Sequence, residues 1–157
     1  MREKNLIITK ILQYGTLAGA FGLIFTVIFQ VLTRRFFVEH APAWTEEASR
    51  FFFIYGVSFA AGLAQKDDYF VSMDYVYRKF NAKSRKIIDL IINLVSSLLF
   101  LLMTIYSIQF ILLGLIETSP SLGFPMAIAF ISMLVMSGSI LYFLLIQLIN
   151  VIRSNGT

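Results

Sequence analysis

The chain has 157 residues, of which 58% are hydrophobic and 14% charged, with a mean hydropathy of +0.79. Soluble domains average about 45–50% apolar and about 25% charged; this balance, with 16 Phe and 7 Tyr, excludes disorder and a water-soluble fold and indicates an integral membrane protein. No cysteine and one histidine, His40, leave no thiolate, disulfide, haem-ligand pair or zinc site to build from this chain alone, so no cofactor is expected.

Crossing roughly 30 Å of hydrocarbon takes about 20 mostly apolar residues. The first candidate span, 11–33, carries no charge. The second is less clean, because its uncharged run, 51–65, covers only about 22 Å at 1.5 Å per residue. It reaches full length, 44–65, only by taking Glu46, Glu47 and Arg50 into the interface. The third, 87–116, is uncharged from Leu90 onward, and the fourth, 126–152, is uncharged throughout. Between spans two and three, Met73, Val76, Tyr77 and Phe80 fall at i, i+3, i+4 and i+7, the pattern of a short amphipathic helix lying in the interface. Asn81 can end that helix and Ser84 can cap the third span. The expected fold is one all-α membrane domain, 1–157, of four transmembrane helices plus this interfacial helix.

The first apolar stretch is too long for a signal peptide and lacks a small-residue cleavage site after it. Ten Lys and Arg residues fall in the N-terminal tail, the 66–86 link and the C-terminal tail; only Arg34, Arg35 and Arg50 lie on the other side. The positive-inside rule then places both termini in the cytoplasm. Because the basic residues flank apolar spans and do not form one face, the pI near 9.5 does not point to nucleic acid.

Ionisable groups inside spans are functional by default, because burying them in lipid is costly. Spans one and four have none except tyrosine, and Asp89 lies only one turn into span three. An autonomous ion-coupled pump is therefore disfavoured. The densest polar cluster is Trp44-Thr45-Glu46-Glu47-x-x-Arg50. It reads as a helix start, with Thr45 as N-cap, two acids near the positive helix end, a Glu46/Arg50 i, i+4 pair, and Trp44 anchored among headgroups. It reads equally as a contact with a partner subunit. Arg34 and Arg35 can snorkel to phosphate, or pair with Glu46 or Glu47 across the intervening loop. The row Asp89, Asn93, Ser97 and Thr104 suits hydrogen-bonded helix packing. So do the small residues Gly15-xxx-Gly19, Ala18-xxx-Gly22 and Gly56-xxx-Ala60-xxx-Ala64, whose partner, within this chain or outside it, stays open.

Three stretches in order carry a family resemblance: Trp44-Thr45-Glu46-Glu47-Ala48-Ser49-Arg50, then Val71-Ser72-Met73-Asp74, then Ser119-Pro120-Ser121-Leu122-Gly123-Phe124-Pro125. They resemble the W-x-E-E-x-x-R, H-[IV]-x-[VI]-D and S-P-x-L-x-[IFL]-P motifs of the small membrane subunit of TRAP transporters, the DctQ-like family. Phe70 stands where the family usually has histidine, and Val135 where many members have proline. The resemblance implies a bacterial inner-membrane subunit that anchors a large elevator-type subunit. That partner would take up, with sodium, a carboxylate-bearing solute such as sialic acid or a dicarboxylate, delivered by a periplasmic binding protein. It assigns Trp44, Glu46, Glu47, Arg50, Arg34, Arg35 and Asp74 to subunit or lipid contacts, and gives the chain no enzymatic role. The alternatives are an accessory or assembly subunit of another membrane complex, or a small autonomous exporter, although exporters of that kind carry a glutamate in the first span that is absent here.

Overall fold

The computed structural model describes residues 2–36, 42–67 and 82–154, and these form four helices: α1 Arg2–Phe36, α2 Trp44–Lys66, α3 Ala82–Gly114 and α4 Ala127–Ser154. Three contain segments long and apolar enough to cross a membrane, Leu6–Phe36, Ile87–Gly114 and Ala127–Ile149. The α2 helix is not among them, since its two acids, arginine and lysine dilute a short apolar run. Its expected role as the fourth span therefore does not follow from length and composition. The expected amphipathic helix, with Asp74, lies outside the described residues.

Two capping expectations are corrected. Ala43 already has helical backbone angles (φ −59°, ψ −26°) and is the N-cap of α2, so the Thr45 side chain caps nothing. Its hydroxyl and its amide both donate back to the Pro42 carbonyl, at 2.8 and 3.2 Å. Helix α3 begins at Ala82, which puts Ser84 inside its first turn. At the other end α3 stops at Gly114, two residues before the expected boundary, because Leu115 and Ile116 close into the following turn.

The four helices do not form a closed bundle. α1 packs on α2, α2 on α4 and α4 on α3, giving the row α1–α2–α4–α3. The α1–α2 seam is made by small residues meeting each other within the chain. A Cβ on Gly19 would lie 2.6 Å from Gly56 Cα, while Gly15 faces the Phe59 ring and Gly22 the Phe52 ring. The parallel α2–α4 seam is polar at both ends. Tyr55 Oη donates to the Ile128 carbonyl at 2.6 Å. Gln65 Nε2 donates to Gln147 Oε1 at 3.0 Å, and Gln147 Nε2 to the Gln65 carbonyl at 3.2 Å. In the α3–α4 seam Gly114 seats against Ala127 and Phe130, and Phe110 meets Phe130 edge-on at 5.8 Å.

Burial runs opposite to that of a water-soluble protein. Ser107, Ser137, Thr45, Ser58 and Gln65 are buried, while most large aliphatic residues of α1 and α3 are exposed. Most of the inward hydroxyls donate to carbonyls three or four residues back, as at Thr16, Thr26, Thr104 and Ser137. Of the expected polar row, Asn93 donates to the Asp89 carbonyl, and the buried Ser97 hydroxyl has no hydrogen-bond partner among the described residues. Small polar residues inside and aliphatic ones outside suit helices solvated by lipid, where close approach and hydrogen bonds replace hydrophobic burial as the cohesive force.

Candidate functional site

The polar chemistry concentrates where α2 begins. The α3–α4 link folds into a tight hairpin: Thr118 and Pro125 pair as an isolated bridge, Ser119 N–H donates to the Phe124 carbonyl at 2.8 Å, and Gly123 N–H to the Ser119 carbonyl at 3.0 Å. Gly123 has φ +69°, a left-handed conformation open to glycine at little cost, and this closes the turn.

The turn wraps the carboxylate of Glu47. Ser119 Oγ donates to Oε2 in a very short contact, Leu122 N–H donates to Oε2 at 3.1 Å, and Ser121 N–H to Oε1 at 3.2 Å. Leu122 N–H is shared with Ser119 Oγ at 3.3 Å. Glu47 stands ahead of the apolar run that starts at Phe51, at the edge of the site. The Ser119 hydroxyl and the Ser121 and Leu122 amides converge on its two oxygens. Glu47 is thus a clasp joining the first turn of α2 to the hairpin before α4. Its acceptors are used within the chain.

Glu46 does the opposite job on the neighbouring face. Arg50 Nη2 donates to Glu46 Oε1 at 2.6 Å, and Arg34 Nη2 lies 3.9 Å from Oε2, so the pairing of Arg34 across the α1–α2 link is present. All three side chains are half exposed or more. Arg35 makes no ion pair with another described residue. Trp44 packs against Phe29 of α1 with ring centres 6.0 Å apart.

An open apolar groove of about 560 Å³ runs down the other side of α2, between Gly15 and Ala18 of α1 and Leu122 and Phe124 of the hairpin, over Phe51 and Tyr55. Among the described residues no group of three His, Cys, Asp or Glu side chains is placed to hold a metal. The acids of the site are held by hydroxyl, amide and guanidinium donors, an arrangement that ties elements together.

The residues missed by sequence reasoning were the clasp's donors and the Gln65–Gln147 and Tyr55–Ile128 links. The first had a signal: the Ser-Pro-Ser-Leu-Gly-Phe-Pro stretch and the Glu-Glu pair occur as separate motifs about 70 residues apart, and Glu47 is where they touch. The glutamine pair had none, since two lone glutamines on different helices show no spacing.

Two comparisons bear on this arrangement. The family model for the DctQ component of tripartite ATP-independent periplasmic transporters matches residues 23–154. A protein of Haemophilus influenzae described as a "Putative TRAP transporter small permease protein" is 23% identical over 140 residues, covering 89% of this chain and 84% of that one.

Proposed function

The chain belongs to the family of the DctQ component of tripartite ATP-independent periplasmic transporters, a transporter component and not an enzyme, and from that premise we propose that it is the stationary small subunit of a sodium-coupled uptake system. Its partners are then a large multi-span subunit, which carries the moving substrate site, and a periplasmic binding protein. The solute is a carboxylate-bearing molecule of the sialic acid or dicarboxylate class. In this reading the whole chain is one domain in the bacterial inner membrane, α2 crosses it as the second of four spans, and both termini are cytoplasmic.

The observation that carries the scaffold role is the row of helices. A closed bundle buries its faces in itself, whereas the row α1–α2–α4–α3 keeps two broad sides available. The described stretches of α1 and α4 within the membrane carry no acid, and the acids at the start of α2 are held by the hairpin or by arginines. Such a plate widens the base of a neighbour. Trp44, Glu46, Arg50, Arg34 and Arg35 would make the contacts at one membrane boundary, Asp74 those at the other, and Glu47 would act by holding the hairpin.

Co-purification tests this. The tagged chain, expressed with the large membrane protein encoded beside it and solubilised gently, should elute with it in equal amounts. Sodium-dependent uptake should then require both plus the binding protein. A chain that purifies alone as a homo-oligomer and moves solute unaided would overturn the scaffold reading.

A further inference from the structure

The Glu47 clasp alters the charge balance at the α1–α2 end of the molecule. With Glu47 committed to the hairpin, Glu46 is the carboxylate that Arg34 and Arg50 share among the described residues, and Arg35 pairs with none of them. Glu117, the hairpin's own acid, forms no ion pair with any of them among the described residues. Two guanidinium groups flank Glu46, one on each oxygen, and their side chains are 62% and 72% exposed. A guanidinium has five N–H donors, and the contacts with Glu46 engage one nitrogen of each arginine.

Directly along the same helical face lies an apolar furrow. Stepping from Arg34 by helical period leads to Leu23, Ala20 and Thr16, and stepping from Arg50 leads to Phe53, Val57 and Ala60. These residues line a furrow of about 230 Å³ between α1 and α2. It lies on the other side of the α1–α2 seam from the 560 Å³ groove, with which it shares Gly19 and Phe52; neither is lined by a cation.

A doubly cationic, anion-deficient head above an apolar channel is complementary to an amphiphile with an anionic head. We propose that Arg34 and Arg50, bracketing Glu46, hold the phosphate of an anionic phospholipid whose acyl chain enters the furrow between α1 and α2. Guanidinium forks match phosphate oxygens in pairs, and Glu46 keeps the two forks at a fixed separation. The placement also accounts for three arginines gathered on the cation-poor side of the chain, where a basic residue has no topological purpose. The inference rests on the reading that α2 crosses the membrane beside α1.

Trp44 is the sole tryptophan of the chain and lies two residues from Glu46; it lines the neighbouring 560 Å³ groove, so its quenching reads lipid at this boundary and the arginine variants assign the preference to the Arg34/Arg50 site. The full-length protein would be reconstituted in phosphatidylcholine vesicles containing either brominated phosphatidylglycerol or brominated phosphatidylcholine, and quenching of Trp44 followed against bromolipid fraction. Each arginine near a lipid surface contributes about fivefold in local enrichment of an anionic lipid. Brominated phosphatidylglycerol should therefore half-quench at a severalfold lower fraction than brominated phosphatidylcholine. The preference should disappear in Arg34→Gln/Arg50→Gln, persist in Arg34→Lys/Arg50→Lys at reduced strength, and be unchanged in Lys10→Gln. Identical curves for the two lipids in the wild type would overturn the proposal while leaving the spanning reading intact, and so would a preference that survives the double glutamine variant. If neither lipid quenched Trp44, the first turn of α2 would not lie at the bilayer, and both readings would fall.

Discussion

Gly19→Ala and Gly56→Ala are the same chemical change on the two sides of one contact, and the structure separates their outcomes. A Cβ on Gly19 would stand 2.6 Å from Gly56 Cα, 2.9 Å from Gly56 N and 3.2 Å from the Phe52 carbonyl oxygen. Carbon atoms rest at about 3.5–4.0 Å, and every atom in the way is backbone, so no rotamer change relieves the clash. The helices must part by about 1 Å, which also loosens Gly15 from Phe59 and Gly22 from Phe52. Overpacking of this kind costs about 1–3 kcal/mol, and the absence of a side chain able to yield puts Gly19→Ala toward the upper end. A Cβ on Gly56 would instead meet Gly19 at 3.6 Å, ordinary contact. There the better helix propensity of alanine, up to about 1 kcal/mol, is not opposed, and Gly56→Ala should be neutral or slightly stabilising. Equilibrium unfolding of the purified chain in mixed micelles by graded SDS reads both values. Equal losses for the two variants, or a larger loss for Gly56→Ala, would refute the packing argument.

Three further outcomes follow from the polar links. Glu47→Gln takes the charge from the carboxylate that Ser119, Ser121 and Leu122 hold and should lower the unfolding midpoint in graded SDS; a midpoint equal to that of the wild type would rule out the clasp. Gln147→Leu removes both hydrogen bonds of the pair and should cost about 1 kcal/mol, Gln65→Leu removes only the side-chain one and should cost less, and the double variant should cost less than their sum. A double-mutant cycle measured by SDS unfolding checks the coupling, and strict additivity would deny it. Gly123→Ala should cost about 1 kcal/mol, because its φ of +69° is poorly tolerated by a Cβ, whereas Gly123→Asn should cost less. The melting temperatures of the two variants decide this.

Much of the molecule was legible before its three-dimensional form was known, for reasons specific to membranes. Lipid demands helices whose backbone groups are satisfied internally, so uncharged runs of sufficient length betray α1, α3 and α4 directly. The weakness of the 51–65 run was equally visible, and α2 remains the helix whose composition does not by itself describe a span. The Glu46/Arg50 pair needed only helical spacing, and it forms. Helix ends were less legible. Thr45 looked like an N-cap by residue type, but Pro42 sets the helix path early enough that its own carbonyl takes both Thr45 donors.

The sequence by itself determined the solvent, the helices and the boundary where polar residues gather, because hydropathy and spacing are local quantities. Only the tertiary structure decided which surfaces meet. Of the glycines read as faces of unknown partner, Gly19 and Gly56 meet across α1 and α2, while Gly15 and Gly22 meet phenylalanine rings of α2. Of two adjacent glutamates, indistinguishable in sequence, one is clasped by a hairpin some 70 residues away and the other is left between arginines. Contacts of that kind depend on the rotation of each helix about its axis. A difference of one residue turns a side chain by 100°, enough to move it from a neighbouring turn to the lipid boundary.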